Sequence, residues 1–241
     1  MKSQKVVIIG ATSGMGRELA RIYASRGSIV AATGRRQDLL YSLRMEFPNR
    51  IVTECFDVTG NSNIGHLESI LGKIGGLDLF IVCAGIGIVS ENLDREADRK
   101  TIDTNINGFA EMINWAFNYF VEHGGNGQIV NISSIASWRG NSWAPAYSAS
   151  KAFQSVYLEG LHMKARKMKW GIVITDIQPG FVNTNMSQGN KRFWVASVEK
   201  AGRQIYRAIE AKRFRVFVTK RWRMIAWAMK WAPGFLYHRV G

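Results

Sequence analysis

Short apolar runs rich in Val and Ile recur along the chain and alternate with longer segments that have helical spacing. The runs lie at residues 5–10, 28–33, 50–56, 77–83, 128–133, 172–179 and 215–219. A strand that is apolar throughout is buried on both faces, as in a parallel sheet with helices on each side. The alternation therefore predicts a doubly wound α/β fold with about seven parallel strands.

The segments between the runs have helical spacing at 17–25, 37–46, 64–73 and 97–122. The chain has 241 residues, 46% of them hydrophobic, which is enough to bury a sizeable core in one domain. No internal repeat, low-complexity tract or long linker interrupts the pattern. We therefore expect a single domain.

Cysteine use and the N-terminus bear on the compartment. Cys55 and Cys83 both fall in apolar runs, which favours buried free thiols in a reducing environment over a disulfide framework. The first apolar run, 6–9, is too short for the core of a signal peptide, and no run approaches the ~18 residues of a membrane span. We expect a cytoplasmic protein.

The formal net charge of +14 is concentrated towards the C-terminus. No acidic residue follows Glu210, whereas the basic residues beyond it are Lys212, Arg213, Arg215, Lys220, Arg221, Arg223, Lys230 and Arg239. A dense positive field attracts polyanions whatever the fold, so charge alone is compatible with binding to a nucleic acid or an anionic membrane. The asymmetry points to the C-terminal segment as the basic surface.

In a doubly wound sheet, ligands bind at the carboxyl ends of the strands. The first such loop reads GATSGMG, before a helix expected to start near Arg17. Glycine lets the backbone turn sharply and approach a pyrophosphate, which then faces the free N–H groups of the helix. A tight turn without a ligand is the alternative. The candidate cofactor-binding residues here are Gly10, Thr12, Ser13, Gly14, Met15 and Gly16.

The second strand ends in AATGRRQ, where a dinucleotide fold recognises the adenosine ribose. Arg35 and Arg36 stand there in place of the acid that would accept the 2′-hydroxyl of NAD. Guanidinium groups suit a 2′-phosphate, so this loop favours NADP(H) over NAD(H). A solvated arginine pair is the alternative. After the third and fourth strands, Asp57 with Val58 and Ala84 with Gly85 are candidates for contacts with the adenine.

The loop after the fifth strand and the segment that follows it contain candidate catalytic residues. Ser134 follows the strand, and Tyr147 comes thirteen residues later, four before Lys151 and just after Pro145, which could open a helix. Residues 147 and 151 would share a helix face. Asn105 lies among apolar neighbours of the segment 97–122, where it could bridge backbone groups or hold a water.

GATSGMG, Asp57-Val58, CAG, Asn105, ISS followed by YSASK, and PGFVNT resemble the short-chain dehydrogenase/reductase family, in order and in separation. The resemblance implies a Rossmann-type sheet, a nicotinamide cofactor and a small carbonyl or alcohol substrate. It also implies a homodimer or homotetramer. The catalytic set falls on Asn105, Ser134, Tyr147 and Lys151. Pro179, Gly180, Val182 and Thr184 would line the nicotinamide end, together with Tyr147 and Lys151.

The resemblance covers residues 5–220, so we expect an oxidoreductase domain at 1–219, a lid at about 183–198 and an extension at 220–241. The family usually has Asn-Ala-Gly after the fourth strand, whereas this chain has Cys83, Ala84 and Gly85. The family Asn is associated mainly with bracing neighbouring strands. Its replacement puts that bracing in doubt more than hydride transfer. No metal is expected.

Tyrosine can exchange a proton with a substrate only if its pKa approaches neutrality. An ammonium at about 4 Å contributes up to ~4 kcal/mol, or about three pKa units, at an effective dielectric constant of about 20. We therefore expect Lys151 to lower the pKa of Tyr147 and also to reach the nicotinamide ribose. Ser134 would hold the substrate oxygen, and Asn105 would hold a water beside Lys151.

Aromatic residues surround these loops. Trp138, Trp143, Met186 and Trp194 are the candidate substrate contacts, together with Ser134, and they favour a bulky apolar carbonyl or secondary alcohol. Ordinary core or subunit packing is the alternative for the aromatic residues.

The final stretch, 220–241, combines basic residues with Trp227 and Trp231, which are four residues apart. This combination favours peripheral contact with a membrane surface. Packing on the domain or in a dimer interface is the alternative, and nucleic acid is not expected as a ligand. The alternative to the enzyme as a whole is a cofactor-binding regulatory protein that binds a surface through this segment.

Overall fold

The computed structural model describes residues 3–89, 92–184 and 193–237. In this part of the chain seven strands form one parallel sheet in the order β3-β2-β1-β4-β5-β6-β7. The strands are β1 (Lys5–Ile9), β2 (Ile29–Gly34), β3 (Ile51–Cys55), β4 (Leu79–Val82), β5 (Asn126–Ile132), β6 (Gly171–Pro179) and β7 (Arg215–Val218). The predicted doubly wound sheet is confirmed.

Helices between the strands cover both faces of the sheet, and in the described part of the chain two further helices follow the last strand. They are α1 (Gly14–Ser25), α2 (Gln37–Glu46), α3 (Asn63–Ile74), α4 (Arg95–Ile102), α5 (Phe109–Glu122), α6 (Pro145–Lys167), α7 (Val198–Glu210), α8 (Trp222–Trp231) and α9 (Gly234–Tyr237). Pro145 opens α6, where its missing N–H costs nothing. Asp94 caps α4 by accepting hydrogen bonds from the N–H groups of Glu96 and Ala97.

Two helix boundaries differ from the sequence expectation. The first helix begins at Gly14 rather than near Arg17, so the glycine loop already contributes its first turn. The segment predicted as one helix over 97–122 consists of α4, a π-helical turn at Asp103–Gly108 and α5. A π turn holds one extra residue and often marks a functional site. Here it contains Asn105.

β1 shows how a single strand contributes to two apolar cores. Val6 and Ile8 pack on the side covered by α1, α2 and α7, whereas Val7 and Ile9 pack on the side covered by α3, α5 and α6. All four are at most 1% exposed, and each such side chain stabilises the fold by ~1.5–3 kcal/mol. This burial explains why the strand is apolar at every position.

Cys55 corrects one expectation. It is the last residue of β3, which lies at the edge of the sheet, and its side chain is exposed rather than buried. An edge strand has a neighbour on one side only, so its end is open to solvent. Cys83, which follows the inner strand β4, packs against the core beneath α1.

Candidate active site

A cavity of about 360 Å³ opens at the carboxyl ends of the strands. β1 lies between β2 and β4, so the strand order reverses direction here, and ligands of doubly wound sheets bind at such a point. The loops after β1, β2, β3 and β4 line the cavity. Its lining residues are Ile9, Gly10, Thr12, Ser13, Gly14, Met15, Gly16, Thr33, Gly34, Arg35, Arg36, Phe56, Asp57, Val58, Cys83, Ala84, Gly85, Ile86, Thr104 and Thr184.

The glycine loop after β1 lies close to the backbone of the loop after β4. Gly10 has a φ of 88°, and a Cβ there would lie 2.6 Å from the backbone nitrogen of Ala84. Ser13, the residue before α1, makes no side-chain capping bond. The first N–H groups of a helix have no partner within it, so the start of α1 beside the cavity suits an anionic phosphate. These features fit a dinucleotide cofactor.

The loop after β2 contributes two arginines of different character. Arg36 donates to the Thr12 hydroxyl at 2.6 and 3.2 Å and to the Ser13 hydroxyl at 2.7 Å, which fixes its guanidinium on the glycine loop. Arg35 pairs with Asp57 at 3.2 Å, but its side chain is 62% exposed. Burial of the carboxyl raises the pKa of Asp57, but hydrogen bonds from Thr59 and the contact with Arg35 outweigh burial and hold the pKa below its usual range.

Three side chains converge on the loop that follows β4. A Cβ on Gly87 would lie 3.1 Å from Cδ2 of Tyr147. A Cβ on Gly85 would lie 3.4 Å from Nζ of Lys151 and 3.2 Å from Oδ1 of Asn105. Gly85 and Ile86 of the same loop line the cavity. Residues far apart in sequence therefore meet beside the loop that lines one edge of the cavity.

Asn105 is fully buried and bridges two elements. Its Oδ1 accepts from the N–H of Ile86 at 2.9 Å, and its Nδ2 donates to the Ile86 carbonyl at 2.7 Å and to the Ser150 hydroxyl at 3.0 Å. The Asn105 backbone carbonyl accepts from Nε2 of Gln154 at 2.8 Å. Of the two interpretations of this residue, the observed contacts are those of the backbone bridge.

Lys151 is buried on α6 and donates to the Ile132 carbonyl at 3.2 Å and to Oε1 of Gln154 at 3.0 Å. Burial lowers its pKa to about 8, although the negative charge of Asp176 opposes this shift. Gln154 also accepts from Nδ2 of Asn131 at 3.1 Å. Sequence reasoning missed Gln154, which lies one helical turn beyond Lys151 and fixes the position of the ammonium group.

The expectation that Lys151 lowers the pKa of Tyr147 is wrong for this arrangement. Burial raises the pKa of Tyr147, and a hydrogen bond with Ser134 offsets only part of that effect. The Lys151 ammonium lies 5.8 Å from the centre of the tyrosine ring, and its hydrogen bonds go to Ile132 and Gln154. Removal of the phenol from water therefore outweighs the attraction of the ammonium for the phenolate.

Comparison with known proteins identifies the family. The sequence profile described as short chain dehydrogenase matches residues 4–193. The chain belongs to this family. An uncharacterized oxidoreductase of Myxococcus xanthus is 37% identical over 196 residues, covering 79% of this chain and 76% of the relative. An uncharacterized oxidoreductase of Mycobacterium tuberculosis is 33% identical over 193 residues, covering 76% of this chain and 75% of the relative.

Solved structures have the same fold. A short-chain dehydrogenase from Burkholderia cenocepacia, in complex with NADP, superposes with a TM-score of 0.84 at 23% identity and covers 99% of this chain and 97% of that one. Serine dehydrogenase from Escherichia coli superposes with a TM-score of 0.77 at 25% identity, covering 88% and 96%. This short-chain dehydrogenase is thus an oxidoreductase with a Rossmann-type fold, from a family that binds NAD or NADP.

The segment after β6 approaches the cavity of this short-chain dehydrogenase at one residue in particular. Thr184 lines the cavity, and its Cγ2 would lie 3.2 Å from a Cβ on Gly14. Pro179 ends β6, and Gly180 lies directly under the ring of Trp222, with its N–H bonded to the Val218 carbonyl at 2.8 Å. Val182 is buried in the core.

The predicted substrate contacts have unequal surroundings. Trp138 donates to Oε1 of Gln178 at 2.7 Å and packs on Phe217 with the ring centres 6.1 Å apart and the rings tilted, as a packing residue would. Trp143 is 56% exposed, and Trp194, 41% exposed, packs on Trp222 at 6.0 Å. Met186 lies outside the described residues, as does half of the predicted lid, at 185–192.

A buried polar network behind Ser134 also escaped sequence reasoning. Asp176 is fully buried on β6, accepts from the hydroxyl of Ser133, and accepts from Nε2 of Gln178 at 2.7 Å. Burial raises the pKa of this carboxyl. Its sequence signal was an acid within an apolar run expected to be buried on both faces. In this short-chain dehydrogenase, the Asp176 carboxyl thus links Ser133, the residue before Ser134, to Gln178, and Gln178 in turn accepts a hydrogen bond from Trp138.

Cys83 occupies the position of the usual family Asn. A Cβ on Gly16 would lie 3.1 Å from the Cβ of Cys83, so the Cys83 side chain lies beneath the glycine loop. Burial raises the pKa of the thiol to about 12, which keeps it neutral and unreactive. Cys83 in this dehydrogenase therefore acts as a small apolar residue.

Proposed function

We propose that the protein is an NADP(H)-dependent oxidoreductase that interconverts a carbonyl and a secondary alcohol by hydride transfer. The observation that carries the proposal is the convergence of Tyr147, Lys151 and Asn105 on the loop after β4, which lines the cofactor-sized cavity. The hydrogen bond between Ser134 and Tyr147 adds the fourth member of the group.

Ser134 and Tyr147 handle the substrate oxygen in this proposal. A bound nicotinamide dinucleotide supplies or accepts the hydride. The Tyr147 hydroxyl gives a proton to the oxygen that becomes the alcohol, and in the reverse direction it accepts that proton. Ser134 donates a hydrogen bond to the same oxygen and holds it beside the phenol. Burial raises the pKa of Tyr147, so the phenol keeps its proton at neutral pH. The alkoxide that forms on hydride transfer is a stronger base than a phenolate and takes this proton, whereas the reverse reaction needs the pKa of Tyr147 to fall towards neutrality.

Lys151 and Asn105 support these two residues. A pKa of about 8 leaves Lys151 mostly cationic at neutral pH, yet able to exchange its proton readily. We propose that its ammonium binds the nicotinamide ribose and returns protons to Tyr147. Asn105 fixes the π turn against Ile86 and Ser150, which holds the loop after β4 beside Lys151. A water held by Asn105 beside Lys151 remains part of the proposal.

NADP(H) is favoured over NAD(H) by the loop after β2. Arg35 and Arg36 both line the cavity, and no acid stands among Gly34, Arg35 and Arg36 to accept a 2′-hydroxyl. Arg36 is held in place by Thr12 and Ser13, so its guanidinium is ordered before a phosphate arrives. The adenosine side of the proposed site also includes Asp57, Val58, Ala84 and Gly85. The nicotinamide side is proposed to consist of Pro179, Gly180, Val182 and Thr184, and the support for it is that Thr184 lines the cavity.

The substrate is proposed to be a small molecule with a bulky apolar group. The exposed rings of Trp143 and Trp194 support an apolar entrance, whereas the contacts of Trp138 favour packing. We also propose that the protein is cytoplasmic and forms a homodimer or homotetramer. The proposal divides the chain into a domain at 1–219 and an extension at 220–241. A purely regulatory, cofactor-binding function is disfavoured because Tyr147 and Lys151 are both retained, beside the loop after β4.

A thermal-shift comparison and a substrate panel test the proposal. NADPH should raise the unfolding midpoint more than NADH at equal concentration, because bound ligand stabilises the folded state. NADPH oxidation should then occur with bulky apolar ketones or aldehydes in a carbonyl panel. Absence of any shift with either cofactor would remove the basis for the enzyme assignment.

A further inference from the structure

Helix α8 has two faces with different environments. On the inner face, Trp222 is 3% exposed and packs on Phe181 and Phe193 at ring distances of 5.5 and 5.1 Å. Arg139 also binds the helix, through the carbonyls of Met229 at 2.8 Å and Ala232 at 2.5 Å. These contacts fix α8 to the domain without using its outer face.

The outer face of α8 carries an aromatic stripe, defined as Met224, Trp227 and Trp231. These side chains are 72%, 62% and 74% exposed. Their spacing of three and four residues places them on one side of the helix. Phe235, 67% exposed, follows on α9. A patch of this kind on a soluble domain marks an interaction surface.

Cations lie beside the stripe. Arg223 and Lys230 are both exposed and are seven residues apart, so they share one side of α8 with Trp227 between them. No acidic residue occurs anywhere after Glu210 in the sequence. The helix therefore presents apolar rings and positive charge to solvent with no compensating negative charge of its own.

A basic groove continues from the start of α8 along β7, the edge strand of the sheet. It has a volume of about 670 Å³, and its basic residues are Arg207, Arg213, Arg215, Lys220 and Arg223. Val216 and Phe217 add apolar surface, and no carboxylate lines the groove. Arg215 pairs with Glu159 at 3.0 Å. Within the described ranges the other four cations form no ion pair.

The charge pattern decides between three occupants. A second copy seated on the same face would oppose two sets of cations without acids, which is repulsive. A nucleic acid would neutralise the groove but would use the stripe only by stacking of single-stranded bases. An anionic phospholipid surface matches both features, because tryptophan favours the membrane interface and cations bind the lipid phosphates.

We propose that this face docks on an anionic phospholipid surface. The aromatic stripe enters the headgroup region, and the basic groove binds lipid phosphates. No helix among the described residues is long and apolar enough to cross a membrane, so α8 lies in the plane of the interface, as amphipathic helices do. The docking face is separate from the residues that line the cofactor cavity.

Co-sedimentation of the full chain with vesicles tests the docking. One vesicle contains phosphatidylcholine alone and the other equal parts of phosphatidylcholine and phosphatidylglycerol. The protein should sediment with the mixed vesicles and be released by added salt. K220Q/R223Q should weaken binding about 25-fold, since each cation contributes about fivefold. W227S/W231S should weaken it about tenfold or more, since two rings lose apolar contact.

Matched variants separate this surface from general effects. Tyr41 and Met45 are exposed and four residues apart on α2, so Y41S/M45S mimics the loss of the stripe elsewhere. Lys167 and Lys169 are exposed cations near the end of α6, so K167Q/K169Q mimics the loss of charge. Both control variants should bind vesicles like the wild type. NADPH-dependent turnover should be unchanged in W227S/W231S. The experiment therefore distinguishes failure of the docking proposal from failure of the proposed enzyme activity.

Four results would overturn the proposal. Equal sedimentation with both vesicles would remove the role of the net negative charge of the phospholipid surface. Unchanged binding by W227S/W231S would remove the role of the stripe. Retention on a single-stranded oligonucleotide without vesicle binding would instead identify a nucleic-acid surface, and a wild-type dimer that becomes monomeric in W227S/W231S would identify an interface between copies.

Discussion

Replacement of Arg36 by Gln should reduce the preference for NADPH over NADH. Arg36 is held by three hydrogen bonds from its guanidinium to Thr12 and Ser13, so little ordering remains when a 2′-phosphate binds. Hydrogen bonds to charged groups contribute ~1.5–3 kcal/mol each. One such contact corresponds to a loss of about 10- to 150-fold in the affinity for NADPH.

Arg35 provides the internal comparison. Its side chain is 62% exposed and already pairs with Asp57, and an exposed ion pair contributes only ~0–1 kcal/mol. R35Q should therefore weaken NADPH binding by no more than about fivefold. R44Q, at an exposed arginine on α2, is the matched control and should leave affinity for both cofactors unchanged.

Isothermal titration with NADPH and with NADH measures these effects. The ratio of the two dissociation constants is the informative quantity, because R36Q also removes bonds to the glycine loop and that damage weakens both cofactors alike. The dissociation constant for NADH divided by that for NADPH should be highest in the wild type, lower in R35Q and lowest in R36Q. An equal loss for NADPH and NADH in R36Q would refute the assignment of Arg36 to the 2′-phosphate.

Three further predictions concern catalysis, charge and packing. S134A should lower kcat by ~10²–10³ while NADPH affinity stays unchanged, as for loss of one oxyanion donor; a normal kcat would exclude that role. The folded-state pKa of Lys151 is depressed from 10.5 to about 8, so the unfolded state binds more protons between these values and stability rises with pH there, by up to about 3 kcal/mol. Denaturant titrations should show this rise in wild type but not in K151M. W222A should cost ~3–5 kcal/mol of unfolding free energy because a buried ring leaves a cavity, whereas W227A should cost less than about 0.5 kcal/mol because its ring is exposed; equal losses would contradict the two-faced helix.

The sequence predicted the sheet because burial on both faces leaves a direct mark on each strand. Val6 to Ile9 are apolar at every position, and alternate side chains enter opposite cores. The sequence of a strand is a weaker guide to whether the strand lies in the middle or at the edge of the sheet. The run at 50–56 predicts a buried strand although it includes Thr53 and Glu54, whereas β3 lies at the edge, and so the prediction of a buried Cys55 was wrong.

Spacing could predict which residues gather at the cavity but not their electrostatic balance. Tyr147 and Lys151 share the first turns of α6, as expected. The Lys151 ammonium lies 5.8 Å from the centre of the Tyr147 ring and donates its hydrogen bonds to Ile132 and Gln154, and burial determines the direction of the Tyr147 pKa shift. Desolvation depends on every element packed around a group, which a local motif does not contain.

Polar contacts between distant elements were also hidden. The Asp176 carboxyl meets Ser133 and Gln178 only when β5 and β6 pair, and Gln154 meets the Asn105 carbonyl only when the π turn forms. The π turn itself had no recognised signal, because residues 97–122 have continuous helical spacing. Tertiary packing decided both features.

Transfer of deuterium from deuterated NADPH to a bulky apolar ketone tests the central claim most directly. Mass spectrometry of the product alcohol should find the label on the carbinol carbon with the wild-type protein. Y147F keeps the ring against Gly87, and it should bind NADPH normally yet transfer label at a rate lower by ~10²–10⁴. Label transfer by Y147F at the wild-type rate, or NADPH binding without transfer to any carbonyl of a broad panel, would contradict the account.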